Sequence, residues 1–263
     1  MKSIILAAGE GTRLRPLTLK IPKCLVNIFG KSLLEWQLDT FHNCNITDIV
    51  VITGYLKDLI NLPNIRYYNN PHYNKTNMVE TLFTAKDELK DSVIISYGDI
   101  IFEEHVLKSL IDSEEEICVI VDKNWKEYWE SRFEDPLDDA ESLLLDSNDY
   151  ITEIGQKVTS YDKIHGQYIG LMKFQGNGIN FLKNFYEEKK LDAKNGINPL
   201  NPSVPFEKSF MTDLLNSIIK SGKKIKAIQI KNGWLELDSI SDYDTYNKLY
   251  KNKQLSKFFN VEK

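Results

Sequence analysis

Short, continuous apolar runs recur along this chain, and between them lie stretches whose apolar residues return every third or fourth position. Ser3-Ile4-Ile5-Leu6-Ala7 is the first run and Asp48-Ile49-Val50-Val51-Ile52-Thr53, closed by Gly54, is the second; Asn64 to Tyr68, Val93 to Tyr97 and Ile117 to Asp122 follow. Uninterrupted runs of this kind predict strands covered on both faces. Helical spacing appears over Lys31 to Asn43, where Leu34, Leu38 and Phe41 share a face, over Asn77 to Leu89 through Met78, Leu82 and Ala85, and over Glu103 to Ser113. This alternation predicts an α/β fold with a doubly wound, mainly parallel sheet. In such sheets ligands sit beyond the carboxyl ends of the strands. Ile151 to Ile154 and Gln167 to Phe174 read as further strands. Helices are expected near Ser209 to Ser221 and Ser239 to Tyr250, after a polar Asn- and Pro-rich loop at Asn195 to Pro205. No repeat or linker is visible, which predicts a single domain with an inserted subregion, the halves meeting near residues 122 and 123.

Composition adds limits. With 263 residues, 42% of them hydrophobic and 27% charged, the chain has the make-up of an ordinary soluble globular protein. No run approaches a membrane span, and Ile4 to Ala8 is too short and too soon followed by charge for a signal peptide, so a cytoplasmic protein without a membrane partner is expected. Cys24, Cys44 and Cys118 are scattered, which predicts reduced thiols without a metal role. The net charge is -5, yet the first 23 residues carry Lys2, Arg13, Arg15, Lys20 and Lys23 against Glu10 alone. A local basic loop in an acidic protein suits a small anionic ligand and argues against nucleic acid, which requires a broad basic face.

That loop is Leu6-Ala7-Ala8-Gly9-Glu10-Gly11-Thr12-Arg13-Leu14-Arg15-Pro16-Leu17-Thr18, continuing through Pro22-Lys23. Glycine lets backbone N–H groups approach an oxyanion closely, and the basic side chains supply countercharge. The dinucleotide fingerprint fails because Leu14 stands where its third glycine belongs, and a Walker loop fails for want of Gly-Lys-Ser/Thr. The stretch resembles instead the L-A-A-G-x-G-x-R-L-x-P-L-T…P-K signature of the nucleotidyltransferase superfamily that activates sugar phosphates and related phosphates. Every fixed position of that pattern is met. The resemblance implies a Rossmann-like mixed sheet, with a nucleotide-binding half over about 1–122 and an acceptor-binding half over about 123–263.

Two carboxylates come next. Gly98-Asp99 follows a strand directly, where an aspartate serves equally as a turn former or as a Mg²⁺ ligand. Gly233-Trp234-Leu235-Glu236-Leu237-Asp238-Ser239 alternates, putting Trp234, Glu236 and Asp238 on one face, with Asp238 or Ser239 also placed to cap a helix. The resemblance matches Asp99 and Asp238 to the superfamily's two metal-binding aspartates and so implies Mg²⁺. Trp125, Tyr128, Trp129 and Arg132 form an aromatic stripe ending in a cation if that stretch is helical, before an acidic segment ending at Glu141. Both readings of it stand open. The rings serve as core or homodimer contacts and the acids as a solvated face, or together they receive an amine-bearing acceptor.

The resemblance further implies attack of an acceptor phosphate or phosphonate on the α-phosphorus of a nucleoside triphosphate. Leu6, Ala7, Ala8, Gly9, Gly11, Thr12, Asn77 and Gly98 would line the nucleotide, Arg13 would hold the leaving phosphates and Lys23 the α-phosphate. Trp129, Arg132, Glu141, Tyr168 and Glu236 would face the acceptor; Lys157 reads either as a surface lysine or as a holder of the acceptor phosphate. His165 reads as structural, since an ionised phosphate needs no base. The branch resembled is the short bacterial cytidylyltransferase group acting on phosphocholine, aminoethylphosphonate or phosphoglutamine, of the kind that feeds capsular polysaccharide. That makes CTP and a small phosphorylated acceptor the expected partners. A sugar-phosphate nucleotidylyltransferase using another triphosphate, and a non-catalytic regulatory homologue, are the alternatives.

Overall fold

The structure is a computed structural model and describes residues 1–262. In chain order it begins with β1 (Lys2–Ala7), a hairpin of β2 (Asn27–Ile28) and β3 (Lys31–Ser32), α1 (Leu33–Asn43), β4 (Ile49–Thr53), β5 (Arg66–Asn69), α2 (Met78–Thr84) and β6 (Ser92–Tyr97). β7 (Ile100–Phe102), α3 (Glu104–Ile111), β8 (Ile117–Asp122), α4 (Trp125–Arg132), β9 (Glu141–Leu145), β10 (Ile151–Lys157) and β11 (Gln167–Gln175) follow. α5 (Asn177–Asp192), α6 (Met211–Lys220), β12 (Lys226–Ile230), β13 (Trp234–Glu236) and α7 (Ile240–Lys251) complete it.

Seven strands form one sheet in the order β12-β8-β11-β6-β1-β4-β5. Neighbours pair in parallel except at β11, which runs antiparallel to both β6 and β8. The sheet is therefore mixed and mainly parallel, as the alternation of runs predicts. β1, β4, β6 and β8 are the uninterrupted apolar runs, and two hydrophobic clusters cover the two faces of the sheet. α1, α3, α4 and α7 pack on one face; α2, α5 and α6 pack on the other. Among the described residues, no helix is long and apolar enough to cross a membrane.

Local chemistry sets the boundaries that differ from the sequence reading. Lys31 and Ser32 are not helical, because they pair with Asn27 and Ile28, and Ser32 caps α1 in a reciprocal box with Glu35. α2 stops at Thr84, and a 3₁₀ turn at Lys86–Glu88 takes over. Five pieces escape the pattern: β2, β7, β9, α5 and the edge strand β12. α1 has a second task. Buried Gln37 donates from Nε2 to the carbonyls of Tyr97 and Ile100, both at 2.8 Å, and accepts from Ser96 Oγ at 2.8 Å. This pins the turn that presents Gly98 and Asp99 at the carboxyl edge of β6.

Candidate active site

β1 ends at Ala7 and the chain leaves through Ala8-Gly9-Glu10-Gly11 into three 3₁₀ turns, Thr12–Leu14, Leu17–Leu19 and Lys23–Leu25. Gly11 sits at φ 60°, and a Cβ there would stand 2.9 Å from Lys23 Cβ, so glycine lets the loop lie directly on the lysine. Thr18 Oγ1 donates to Gly11 O at 2.7 Å and closes the turn. A cavity of about 300 Å³ opens over it. Leu6, Ala7, Ala8, Gly9, Gly11, Thr12, Arg13, Lys23, Asn77, Gly98, Asp99 and Asp238 all line it, so the sequence-predicted nucleotide residues come together. Asn77 also caps α2, accepting from the Met78 N–H at 2.9 Å. Tyr73, Thr76, Tyr97 and Phe210 complete the wall without having been singled out.

Asp99 and Asp238 meet because their strands do. β7 pairs antiparallel with β13, and the Leu237 N–H donates to Asp99 O at 2.9 Å. Lys23 Nζ lies 2.7 Å from Asp99 Oδ2 and 2.7 Å from Asp238 Oδ1, while Arg13 reaches Asp238 Oδ2 at 2.5 Å. Burial alone would lower the Lys23 pKa; the two carboxylates more than offset it and hold the value above that of ordinary lysine. Asp99 Oδ1 is buried without a partner, an orphaned acceptor at the centre of the site. Asp238 is not the cap of α7; Ser239 takes that part in a box with Asp242. Asp99 and Asp238 are the pair that could hold a divalent cation. No cluster of three or more His, Cys, Asp or Glu residues suited to a metal occurs among the described residues, so the remaining coordination would fall to water and ligand oxygens, as magnesium favours.

A second cavity, about 210 Å³, shares Arg13, Met78, Tyr97, Phe210 and Asp238 with the first. Trp129, Glu141, Tyr168 and Glu236, expected at the acceptor, line it together with Asp139, Gln167, Gly170, Thr212 and Trp234. Two expectations need correction. Arg132 lines neither cavity: its side chain is 1% exposed and lies behind the wall, 2.9 Å from Glu236 Oε2 and 2.9 Å from Asp242 Oδ1. Lys157 ends β10 with its side chain exposed and lines neither cavity, because the end of the β9–β10 ribbon leaves its ammonium in water. The aromatic stripe divides between its two readings. Trp125 and Tyr128 are core, whereas Trp129 shows an edge to the cavity and donates from Nε1 to Asp139 Oδ2 at 3.1 Å.

The carboxyl groups here are perturbed. Glu141 is exposed at the cavity mouth, yet the protein around it displaces enough water that, with Asp139 and Asp213 nearby, its pKa is pushed up to about 7. Enclosure likewise raises Asp139 against the pull of Arg132. Burial pushes Glu236 up to about 7 although Arg132 draws it down. Burial also pushes the Cys24 thiol up to about 12, which leaves no thiolate for nucleophilic chemistry. His165 lies away from both cavities, its Nδ1 accepting from the Leu145 N–H at 3.0 Å. Asp139 gave no signal of its own within the acidic run that contains it. Gly170 could have been suspected: at φ +83°, a Cβ there would stand 2.5 Å from the Tyr97 ring.

Residues 3–148 match the family model of the MobA-like NTP transferase domain. The CTP:phosphoglutamine cytidylyltransferase of Campylobacter jejuni is 39% identical over 255 residues, which cover 93% of this chain and 98% of that protein. The choline-phosphate cytidylyltransferase of Streptococcus pneumoniae is 40% identical over 107 residues, 39% of this chain and 47% of that protein. The solved structure of the CTP:phosphocholine cytidylyltransferase from Streptococcus pneumoniae superposes with a TM-score of 0.71 at 21% identity, over 95% of this chain and 98% of that one. That likeness extends the shared fold to the acceptor half. Loop, paired aspartates and lysine thus stand on the scaffold of a known class, and the chain belongs to the MobA-like NTP transferase family of nucleotidyltransferases.

Proposed function

We propose that this chain transfers CMP from CTP to a small phosphate or phosphonate that carries an amine, with release of pyrophosphate. The observation that carries the reading is the charge balance of the second cavity. Four carboxylates line it. Asp238 is matched by Lys23 and Arg13, and Glu236 by Arg132. Asp139 and Glu141 have no lysine or arginine within 4.0 Å among the described residues. Two carboxyl groups without a cation favour an ammonium, whose arrival also favours the ionised form of Glu141, and they oppose a bare sugar phosphate. The choice of CTP is supported by the likeness to the two cytidylyltransferases.

The chemistry asks little of the protein beyond placement and charge. An acceptor phosphate is already largely ionised at neutral pH, its second pKa being near 6, so no base is required. Its oxygen forms the new bond to the α-phosphorus as the bond to the bridging oxygen breaks, and that electron pair leaves with pyrophosphate. Arg13, 67% exposed and lining both cavities, is placed to hold departing phosphates; Lys23 is placed for the α-phosphate. Asp99, with its orphaned oxygen, and Asp238 suit Mg²⁺. When bound, the ion would neutralise charge on the triphosphate.

The test is pyrophosphate release with Mg²⁺ and CTP, UTP, GTP, ATP or dTTP against phosphocholine, aminoethylphosphonate, phosphoglutamine and hexose 1-phosphates. Turnover confined to CTP and an amine-bearing acceptor is expected. Turnover with a hexose phosphate instead would overturn the reading.

A further inference from the structure

A buried cluster outside both cavities grips the segment that carries Glu236 and Asp238. Arg132, at the last turn of α4, divides its guanidinium between two carboxylates. Nε and Nη2 donate to the two Asp242 oxygens at 2.9 and 3.3 Å, and Nη1 lies 2.9 Å from Glu236 Oε2. Asp242 Oδ2 in turn accepts the backbone N–H groups of Asp238 at 3.1 Å and Ser239 at 2.8 Å. The rings of Tyr128, Trp129 and Phe133 lie 5.4, 5.3 and 5.0 Å from the guanidinium carbon and hold it in place. Neither Arg132 nor Asp242 lines a cavity; each touches a residue that does.

We propose that Arg132 is a positioning residue for the transfer: through Asp242 it fixes the backbone of Asp238, through Glu236 it fixes the acceptor wall, and so one guanidinium registers nucleotide against acceptor. The inference rests on the proposed reaction for its kinetic consequence, but not for its structural one. Arginine suits the task because its planar fork donates two hydrogen bonds to Asp242 while Nη1, which makes no hydrogen bond, still sets positive charge 2.9 Å from Glu236; a lysine ammonium is a single point of charge. Deleting the cation would strand two buried carboxylates and endanger folding. The informative variant is therefore Arg132→Lys, which keeps the charge and loses the fork.

Two measurements on the full chain decide it. The first is amide hydrogen exchange without ligand, where Arg132→Lys should speed exchange at Asp238 and Ser239 by about tenfold or more while β1 and α6 keep their rates. Unchanged exchange, or an equal rise everywhere, overturns the proposal. The second is kinetic. Arg132→Lys should lower kcat and raise KM for the acceptor, with KM for CTP within about twofold of the parent, and in a Glu236→Gln background it should add no further rise in acceptor KM. Additive penalties overturn it, as does the same kinetic split in Leu110→Ala, a core truncation in α3 far from this cluster in sequence. If the parent turns over no amine-bearing acceptor with CTP, the proposed reaction fails, and the exchange experiment still decides the part played by Arg132.

Discussion

The two cavities share a wall yet are built on opposite plans. The cavity proposed for the nucleotide takes seven of its lining residues from one continuous stretch, Leu6 to Arg13, whose small residues offer backbone, with Gly98 crossing so tightly that a Cβ would stand 2.6 Å from Leu6 O. The cavity proposed for the acceptor is made of side chains from segments far apart in the chain: Trp129 from α4, Asp139 just ahead of β9, Glu141 at its start, Tyr168 from β11, Thr212 from α6 and Glu236 from β13. A backbone surface cannot be altered one residue at a time without moving the chain. A side-chain surface can. The first plan suits what nucleoside triphosphates have in common, and the second suits a substrate that differs between relatives.

That contrast can be broken by substitution. Asp99→Asn should lower kcat by about 10² to 10³, the usual result of removing one group that stabilises charge, measured as pyrophosphate release. Gly98→Ala forces a methyl onto Leu6 O and should cost about 1–3 kcal/mol of stability by overpacking. Its melting temperature should fall and KM for CTP should rise, with acceptor KM unchanged. Asp139→Asn and Glu141→Gln should each raise acceptor KM by about tenfold, some 1.4 kcal/mol of binding, and leave KM for CTP alone. A matching rise for CTP would show that the cavities are not separate in function.

Two smaller effects follow from Glu141, whose pKa is pushed up to about 7. Acceptor binding should weaken as pH falls below that value, because protonation removes the charge that meets the ammonium, and this limb should vanish in Glu141→Gln. A limb that persists would belong to the acceptor phosphate instead. For stability the sign is opposite. Between the ordinary glutamate value of 4.5 and about 7 the folded chain holds more protons than the unfolded one, so this residue makes stability fall as pH rises through that window. Thermal melts of Glu141→Gln should run slightly above the parent at about pH 8 and coincide with it near pH 4, below both values.

The sequence displays the first plan far better than the second, for a physical reason. Leu6 to Arg13 occupy consecutive positions, so their pattern survives without any knowledge of folding. Asp99 and Asp238 are legible as a pair only through the family resemblance, since a place after a strand suits a turn former equally, and Lys23 standing between them depends on the pairing of β7 with β13. Trp129, Glu141, Tyr168 and Glu236 were anticipated as chemistry, and the fold brings them to one cavity. Asp139 was hidden in a run of similar acids, and Arg132 was taken for a contact residue because periodicity says which face a side chain is on, not what covers that face. α5 did carry a signal in Ile179, Leu182, Phe185 and Tyr186, spaced as one helical face and all buried. β12 is short and follows Lys223 and Lys224, so it reads as loop until β8 pairs with it.

The reversed direction of β11 has a consequence for engineering. Its first residue, Gln167, pairs with Asp122 at the carboxyl end of β8, so the strand begins where β6 and β8, antiparallel to it, finish. The preceding segment, Val158 to Gly166, therefore enters from the edge where β6 and β8 end, whereas those two strands are entered from the opposite edge. The strand thus delivers Gln167, Tyr168 and Gly170 to the wall of the second cavity at its very start, so that wall can vary while the Leu6 to Arg13 loop, the β6 turn and the grip on Asp238 stay as they are.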